Sequence, residues 1–170
     1  MIPTIRTDRL ILRPYKRSDW DAYLAFCQSG RTRYMGGPLE PKDAWAWFTN
    51  DIATWGLYGF GTLAIEHDGT QVGFAGLVQP PNFPEPELGW GLFEGHDGQG
   101  YATEAGRAML AHAFATTGLN TVVSYVDPDN AASAAVATRI GGIEDPNATG
   151  PDNQSNRIFR YIRPATGGIQ

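Results

Sequence analysis

ELGWGLFEGHDGQGYATE, residues 87–104, runs from an apolar strand through a glycine-rich turn straight into a helix. A backbone arranged in this way can hold phosphate. Gly98 and Gly100 remove side chains that would block close approach, and the first amides of the following helix have no partner within it. Several N–H groups can then converge on one anion at the positive end of the helix dipole. The stretch has no lysine of the GxxxxGK[ST] kind, and Thr103 stands where a dinucleotide fingerprint would place a third glycine.

Outward from this turn, the elements alternate in type. After the turn, a helix is expected from Ala102 to about Thr117, with Ala102, Ala105, Met109 and Ala113 on one face and Gly118 as its C-terminal cap. Thr121 to Val126 reads as a buried strand stopped by Asp127-Pro128, so strand, helix and strand make a right-handed βαβ crossover with parallel strands. A last helix spans about Asn130 to Ile140 before Gly141-Gly142, and Arg157 to Ile162 forms a final strand. Before the turn, Gly59 to Glu66 and Gln71 to Gln79 form a hairpin around Asp68-Gly69. The stretch PPNFPEP, residues 80–86, is a stiff loop: a plain link or a lip over a cleft.

Nearer the N-terminus, Arg9 to Tyr15 alternates as a strand near an edge. Ser18 caps a short helix that buries Trp20, Leu24 and Cys27 and closes at Gly30. A second helix starts near Pro41, carries Trp45, Phe48, Ile52 and Trp55, and stops at Gly56. The pattern predicts an α+β fold, with a mixed, mainly antiparallel central sheet, one parallel crossover and helices on both faces.

Composition narrows the class. With 170 residues, 42% of them hydrophobic, the chain builds one full core and not two. It carries no signal-peptide pattern and no long apolar run, so a cytoplasmic location is expected and a membrane is not. Cys27 is the only cysteine, which excludes an intrachain disulfide, and it reads as a small buried side chain. A net charge of −5 with no basic block argues against nucleic acid. The spacings of His67, His96 and His112 give no metal site.

TDRLILRPYKRSDW at the start, QVGFAGL, ELGWGL, GQGYATEA and NAASAAVATRIGG occur in an order and spacing that resemble the GNAT superfamily of acyl-CoA-dependent N-acetyltransferases. The chain looks most like the branch of ribosomal-protein N-terminal (alanine/serine) acetyltransferases, and the resemblance spans residues 7–164 as one domain, leaving 165–170 as a tail. It implies acetyl-CoA as cosubstrate with no metal, and an amine acceptor that is either a peptide N-terminus or a small molecule; a homodimer is common in the family. The family's cofactor turn falls on Asp97, Gly98, Gln99, Gly100, Tyr101 and Ala102, with Asp97 departing from the usual basic or amide residue. Backbone donors of Gly98 to Thr103 are therefore expected to hold the phosphates. In the family, the strand at Trp90, Gly91 and Leu92 bulges and splays from its neighbour, exposing amides to the pantetheine arm. Asn130 and Ser133 match positions lining the thiol end.

The reactants dictate the remaining roles. An amine must lose a proton to attack a thioester, and negative charge then gathers on the former carbonyl oxygen. The Leu92 amide is placed to meet that charge, and Glu87 to accept the proton directly or through water, unless it is simply a solvated strand-end acid. Ala137 stands where many superfamily members carry a tyrosine acid, so Ser133 is the next candidate at the thiolate, unless it merely satisfies helix backbone. Tyr101 and Tyr125 are weaker alternatives. Two rivals remain: a CoA-binding protein without transferase activity, and a dinucleotide module in which Asp127 would meet the ribose.

Overall fold

A computed structural model describes residues 1–165; from residue 166 onward, the expected C-terminal tail lies outside the described residues. The strands are β1 (Ile5–Arg6), β2 (Ile11–Arg13), β3 (Thr62–His67), β4 (Thr70–Val78), β5 (Glu87–Leu92), β6 (Thr121–Val126), β7 (Ile143–Glu144) and β8 (Arg157–Ile162). The helices are α1 (Trp20–Cys27), α2 (Pro41–Tyr58), α3 (Tyr101–Thr116) and α4 (Ala131–Ile140). All eight strands lie in one sheet, in the order β1-β2-β3-β4-β5-β6-β8-β7. Among the described residues only β5 and β6 pair in parallel, and α3 joins them. A doubly wound dinucleotide sheet needs a run of parallel neighbours, which this order lacks.

Alternation divides the core between two faces. Leu88 of β5 is fully buried with Ala105 and Met109 of α3 and Ile140 of α4. Gly91, of opposite parity, faces α1: a Cβ there would meet Phe74 at 2.5 Å and Phe26 at 2.9 Å. Phe26, Tyr23, Phe48 and Phe74 form the second core layer under α1 and α2.

Several boundaries differ from the sequence expectation for physical reasons. Asp19, not Ser18, secures the start of α1: its carboxylate accepts the Lys16 amide at 2.6 Å and pairs with Arg13 at 2.8 Å. Tyr23, Phe26 and Cys27 form the buried face of α1, with Trp20 and Leu24 half-buried. Helix α2 passes through Gly56 and stops at Gly59, which has the left-handed φ of 75° that ends a helix. Trp45 is 43% exposed, edge-on to Trp20. Gly118 does not cap α3; the extended Thr117 does, donating its hydroxyl to the Ala113 carbonyl at 2.7 Å. The Asp68-Gly69 turn is two residues, both at positive φ, as expected for a tight hairpin.

The proline-rich loop before β5 is firmly held. Arg160 on β8 donates to Glu85 at 2.6 and 2.8 Å and to Asp145 at 2.7 Å. Phe83 packs edge-on to Tyr125, whose hydroxyl accepts the Glu85 amide at 3.2 Å. The loop therefore lies along β6 as a wall of the cleft rather than a free link.

Candidate active site

The crossover strands part almost as soon as they meet. Glu87 and Val123 are the only residues in register between β5 and β6, joined there by the Val123 amide donating to the Pro86 carbonyl at 3.0 Å. Phe93 donates its amide to Val72 of β4, so strand alternation turns the amides of Gly89 and Gly91 to β4 as well. The amides of Trp90 and Leu92 then point to the side where β6 has moved away. One residue past the meeting point, Ser124 donates its hydroxyl to the Leu88 carbonyl at 2.6 Å and closes the apex of the split. The expected bulge is absent: β4 and β5 pair in unbroken register from Val78–Glu87 to Gly73–Leu92. The opening comes from divergence of β6 alone.

The glycine turn follows on the same side of the sheet. Gly98 and Gly100 have φ of 74° and 81°, the left-handed region open to glycine. Among the described residues, none of the amides from Gly98 through Thr103 donates to a protein acceptor; the first helical donor is Glu104 to the Gly100 carbonyl. Arg9 braces the turn from outside, donating to the Gln99 carbonyl at 3.0 Å and pairing with Glu104 at 2.7 Å. Tyr101 is buried, with the Arg9 guanidinium over its ring, so its role is packing. Asp97 pairs with Arg31 at 2.5 Å, and Arg31 also donates to the Leu92 carbonyl at 2.8 Å. That pairing neutralises the acid that opens the glycine turn. Arg107 and Arg139 line a shallow depression beside Gly100 and Thr103, adding positive field.

A cleft of about 1380 Å³ runs from the glycine turn, through the split, to the α1/α2 side of the sheet. Glu87 is partly buried within it; burial pushes its carboxyl up to about 8, against one long contact at 3.4 Å from the Tyr125 amide. Asp51 of α2 also lines the cleft, and was not singled out from the sequence. Its carboxylate accepts hydroxyls of Tyr23 at 3.2 Å, Thr62 at 3.2 Å and Tyr15 at 3.4 Å, and burial pushes it up to about 7. A signal was present: Asp51 falls in step with Ala44, Phe48 and Trp55, the buried stripe of α2. Cys27 is fully buried, its thiol pushed up to about 12 by burial and then by Asp51, and is no nucleophile.

Comparison with known proteins decides the family. The acetyltransferase (GNAT) domain family matches residues 9–143. The chain belongs to the GNAT acetyltransferases. This GNAT chain is 47% identical to the acetyltransferase of Agrobacterium tumefaciens, whose crystal structure superposes with a TM-score of 0.91 over 95% of each chain. It is 30% identical over 154 residues to the uncharacterized N-acetyltransferase YoaA of Bacillus subtilis, covering 83% of each. The ribosomal L7/L12 α-N-protein acetyltransferase RimL, solved with coenzyme A, shares the fold: TM-score 0.75, 18% identity, 94% of this chain and 98% of that one. The protein is thus an acyl-CoA-dependent N-acetyltransferase acting with acetyl-CoA.

This GNAT site fits its cosubstrate on structural grounds, since the amides of Gly98 through Thr103 have no protein acceptor among the described residues and stand beside a neutralised acid. Ser133 and Asn130 sit at the start of α4, on the cleft wall opposite β5. Asn130 spends its side-chain oxygen capping the Ser133 amide at 3.1 Å. The Ser133 hydroxyl makes no hydrogen bond among the described residues. Ala137 is fully buried against Val126 and Phe159, with Trp90 packed beside them. Among the described residues, no helix is long and apolar enough to cross a membrane.

Proposed function

We propose that this GNAT enzyme transfers the acetyl group of acetyl-CoA to a primary amine by direct attack in a ternary complex. The parting of β5 and β6 supports this reading above all, because it aims the Trp90 and Leu92 amides into a cleft with Glu87 at its apex. Acetyl-CoA supplies the activated thioester. Amides of Gly98, Gln99, Gly100, Tyr101, Ala102 and Thr103 hold its phosphates at the dipole end of α3, and Trp90 and Leu92 present backbone to its arm, whereas the Gly91 amide faces β4 and the residue only leaves room beside them. The Leu92 amide meets charge developing on the carbonyl oxygen.

Glu87 acts as general base. Its parity places it on the α1/α2 face, so the amine approaches from that side, and its raised carboxyl is a better proton acceptor than an ordinary glutamate. Ser133, with its hydroxyl free, donates to the departing thiolate and replaces the tyrosine that Ala137 cannot supply. Acceptors of two kinds present the required group: the N-terminal α-amine of a protein or peptide, and a small-molecule amine. Thiol release from acetyl-CoA, with product mass read for one added acetyl group, tests the reading across both kinds. Release without amine dependence on every acceptor would refute it.

A further inference from the structure

On the α1/α2 side of the cleft stand the carboxylates of Asp51 and Glu87, and among the described residues neither pairs with an arginine. Five arginines are committed to acids elsewhere: Arg9 to Glu104, Arg13 to Asp19 and Glu66, Arg31 to Asp97, Arg157 to Glu144, Arg160 to Glu85 and Asp145; Arg33, which also lines the cleft, lies over the Tyr34 ring and pairs with neither Asp51 nor Glu87 among the described residues. Asp51 receives only three hydroxyls at 3.2 to 3.4 Å, long for bonds to a carboxylate, and Glu87 a single amide at 3.4 Å. A desolvated carboxylate in this state lacks a cationic partner.

The sheet puts both on one face with a bare floor between them. Asp51 contacts Thr62, Thr62 is in register with Gly76, Gly76 with Gly89, and Glu87 is two residues along from Gly89. Residues in register share a face, so this line crosses three strands, about 10 Å from Thr62 to Gly89. Gly76 and Gly89 leave it without side chains, and a Cβ on Gly89 would meet no atom within 4 Å.

We infer that the acceptor carries a second protonated nitrogen and that Asp51 binds it, while the reacting amine stands at Glu87. The inference rests on the acetyl-transfer reading above and names its substrate class: a dicationic amine lying along the Gly76–Gly89 floor. Asp51 is a specificity residue in this scheme. The second nitrogen never enters the reaction, and its charge fills the place that an arginine takes at Glu85 and Asp97. The same chemistry is offered by a small α,ω-diamine or by a short peptide with a lysine following its free N-terminus.

The test compares two pairs of acceptors with acetyl-CoA: α,ω-diaminoalkanes against monoamines of equal chain length, and tripeptides with lysine against those with norleucine at the second position. The wild-type protein is expected to favour dications at least tenfold in kcat/KM, and whichever of the two pairs shows the preference identifies the source. Asp51→Asn should erase the preference through KM. Gly89→Val, which extends into open space, should lower dication turnover at least tenfold with acetyl-CoA affinity within twofold of wild type, and it covers the case in which Asp51→Asn fails to fold. Equal kcat/KM for dications and monoamines, an equal loss on both in Asp51→Asn, or no turnover of any dication would each overturn the inference. Failure of the underlying reading looks different, as no amine of any charge would then release thiol.

Discussion

Replacing Glu87 with glutamine tests the base at the apex of the split. Glutamine keeps the size of the side chain and an oxygen for the Tyr125 amide, so acetyl-CoA binding should stay within twofold. With the Glu87 carboxyl at about 8, roughly one tenth is ionised at pH 7 and about nine tenths at pH 9. A positioned general base contributes about 10²- to 10⁴-fold. The wild-type to Glu87→Gln ratio of kcat/KM should therefore reach at least about 100 at pH 9 and be roughly tenfold smaller at pH 7. Taking the ratio cancels ionisation of the acceptor amine, which is common to both proteins. Thiol release at fixed ionic strength across pH 6 to 9.5 provides the assay. A ratio that stays flat with pH, or full activity of the variant, would refute the reasoning and return Glu87 to a strand-end acid.

Further outcomes follow from other contacts. Arg31→Ala should weaken acetyl-CoA about tenfold by leaving Asp97 uncompensated, and Arg31→Ala with Asp97→Ala should recover to within about threefold; calorimetry that finds the two effects additive would refute the pairing argument. Gly100→Trp should abolish acetyl-CoA binding while far-ultraviolet circular dichroism stays native, since φ is 81° and the site needs bare backbone. Asp51 is held at about 7, above the ordinary carboxylate value, so the folded state favours its proton. The stability it contributes is whole below about pH 4 and is lost as pH rises through 7. Urea denaturation should show Asp51→Asn gaining on wild type by up to about 4 kcal/mol between pH 4 and pH 8, and parallel stability profiles would contradict it.

The glycine turn and the crossover were legible because their signals are local: positive-φ glycines, a helix period, a strand stopped by Asp-Pro. Asp68-Gly69 likewise set its hairpin without help from distant residues. Helix ends were harder, because a glycine in sequence does not say which one turns left-handed. Gly56 continues the helix and Gly59 ends it, with the Trp55 indole fixed on the Thr62 carbonyl at 3.0 Å. The two-residue β7 drew no sequence signal, since its pairing with β8 crosses a polar loop.

In the site, Glu87, Ser133 and Ala102 line one cleft and Gly100 and Thr103 edge a neighbouring depression, while Tyr101 packs and the Asn130 side chain caps α4. Asp97 stood out in the sequence as an unfavourable acid; its remedy, Arg31, lies 66 residues away and only the fold joins them. Asp51 went unread for a similar reason. Its place on the buried stripe of α2 was visible, but the three hydroxyls around it come from three other elements.

The most direct test of the central claim is a backbone amide NMR titration with acetyl-CoA. The account predicts saturable shifts concentrated at Gly98 to Thr103 and at Trp90 and Leu92, with the β1–β3 amides unmoved. Saturable binding that leaves Trp90, Leu92 and the glycine turn unshifted, or no binding at all, would contradict it.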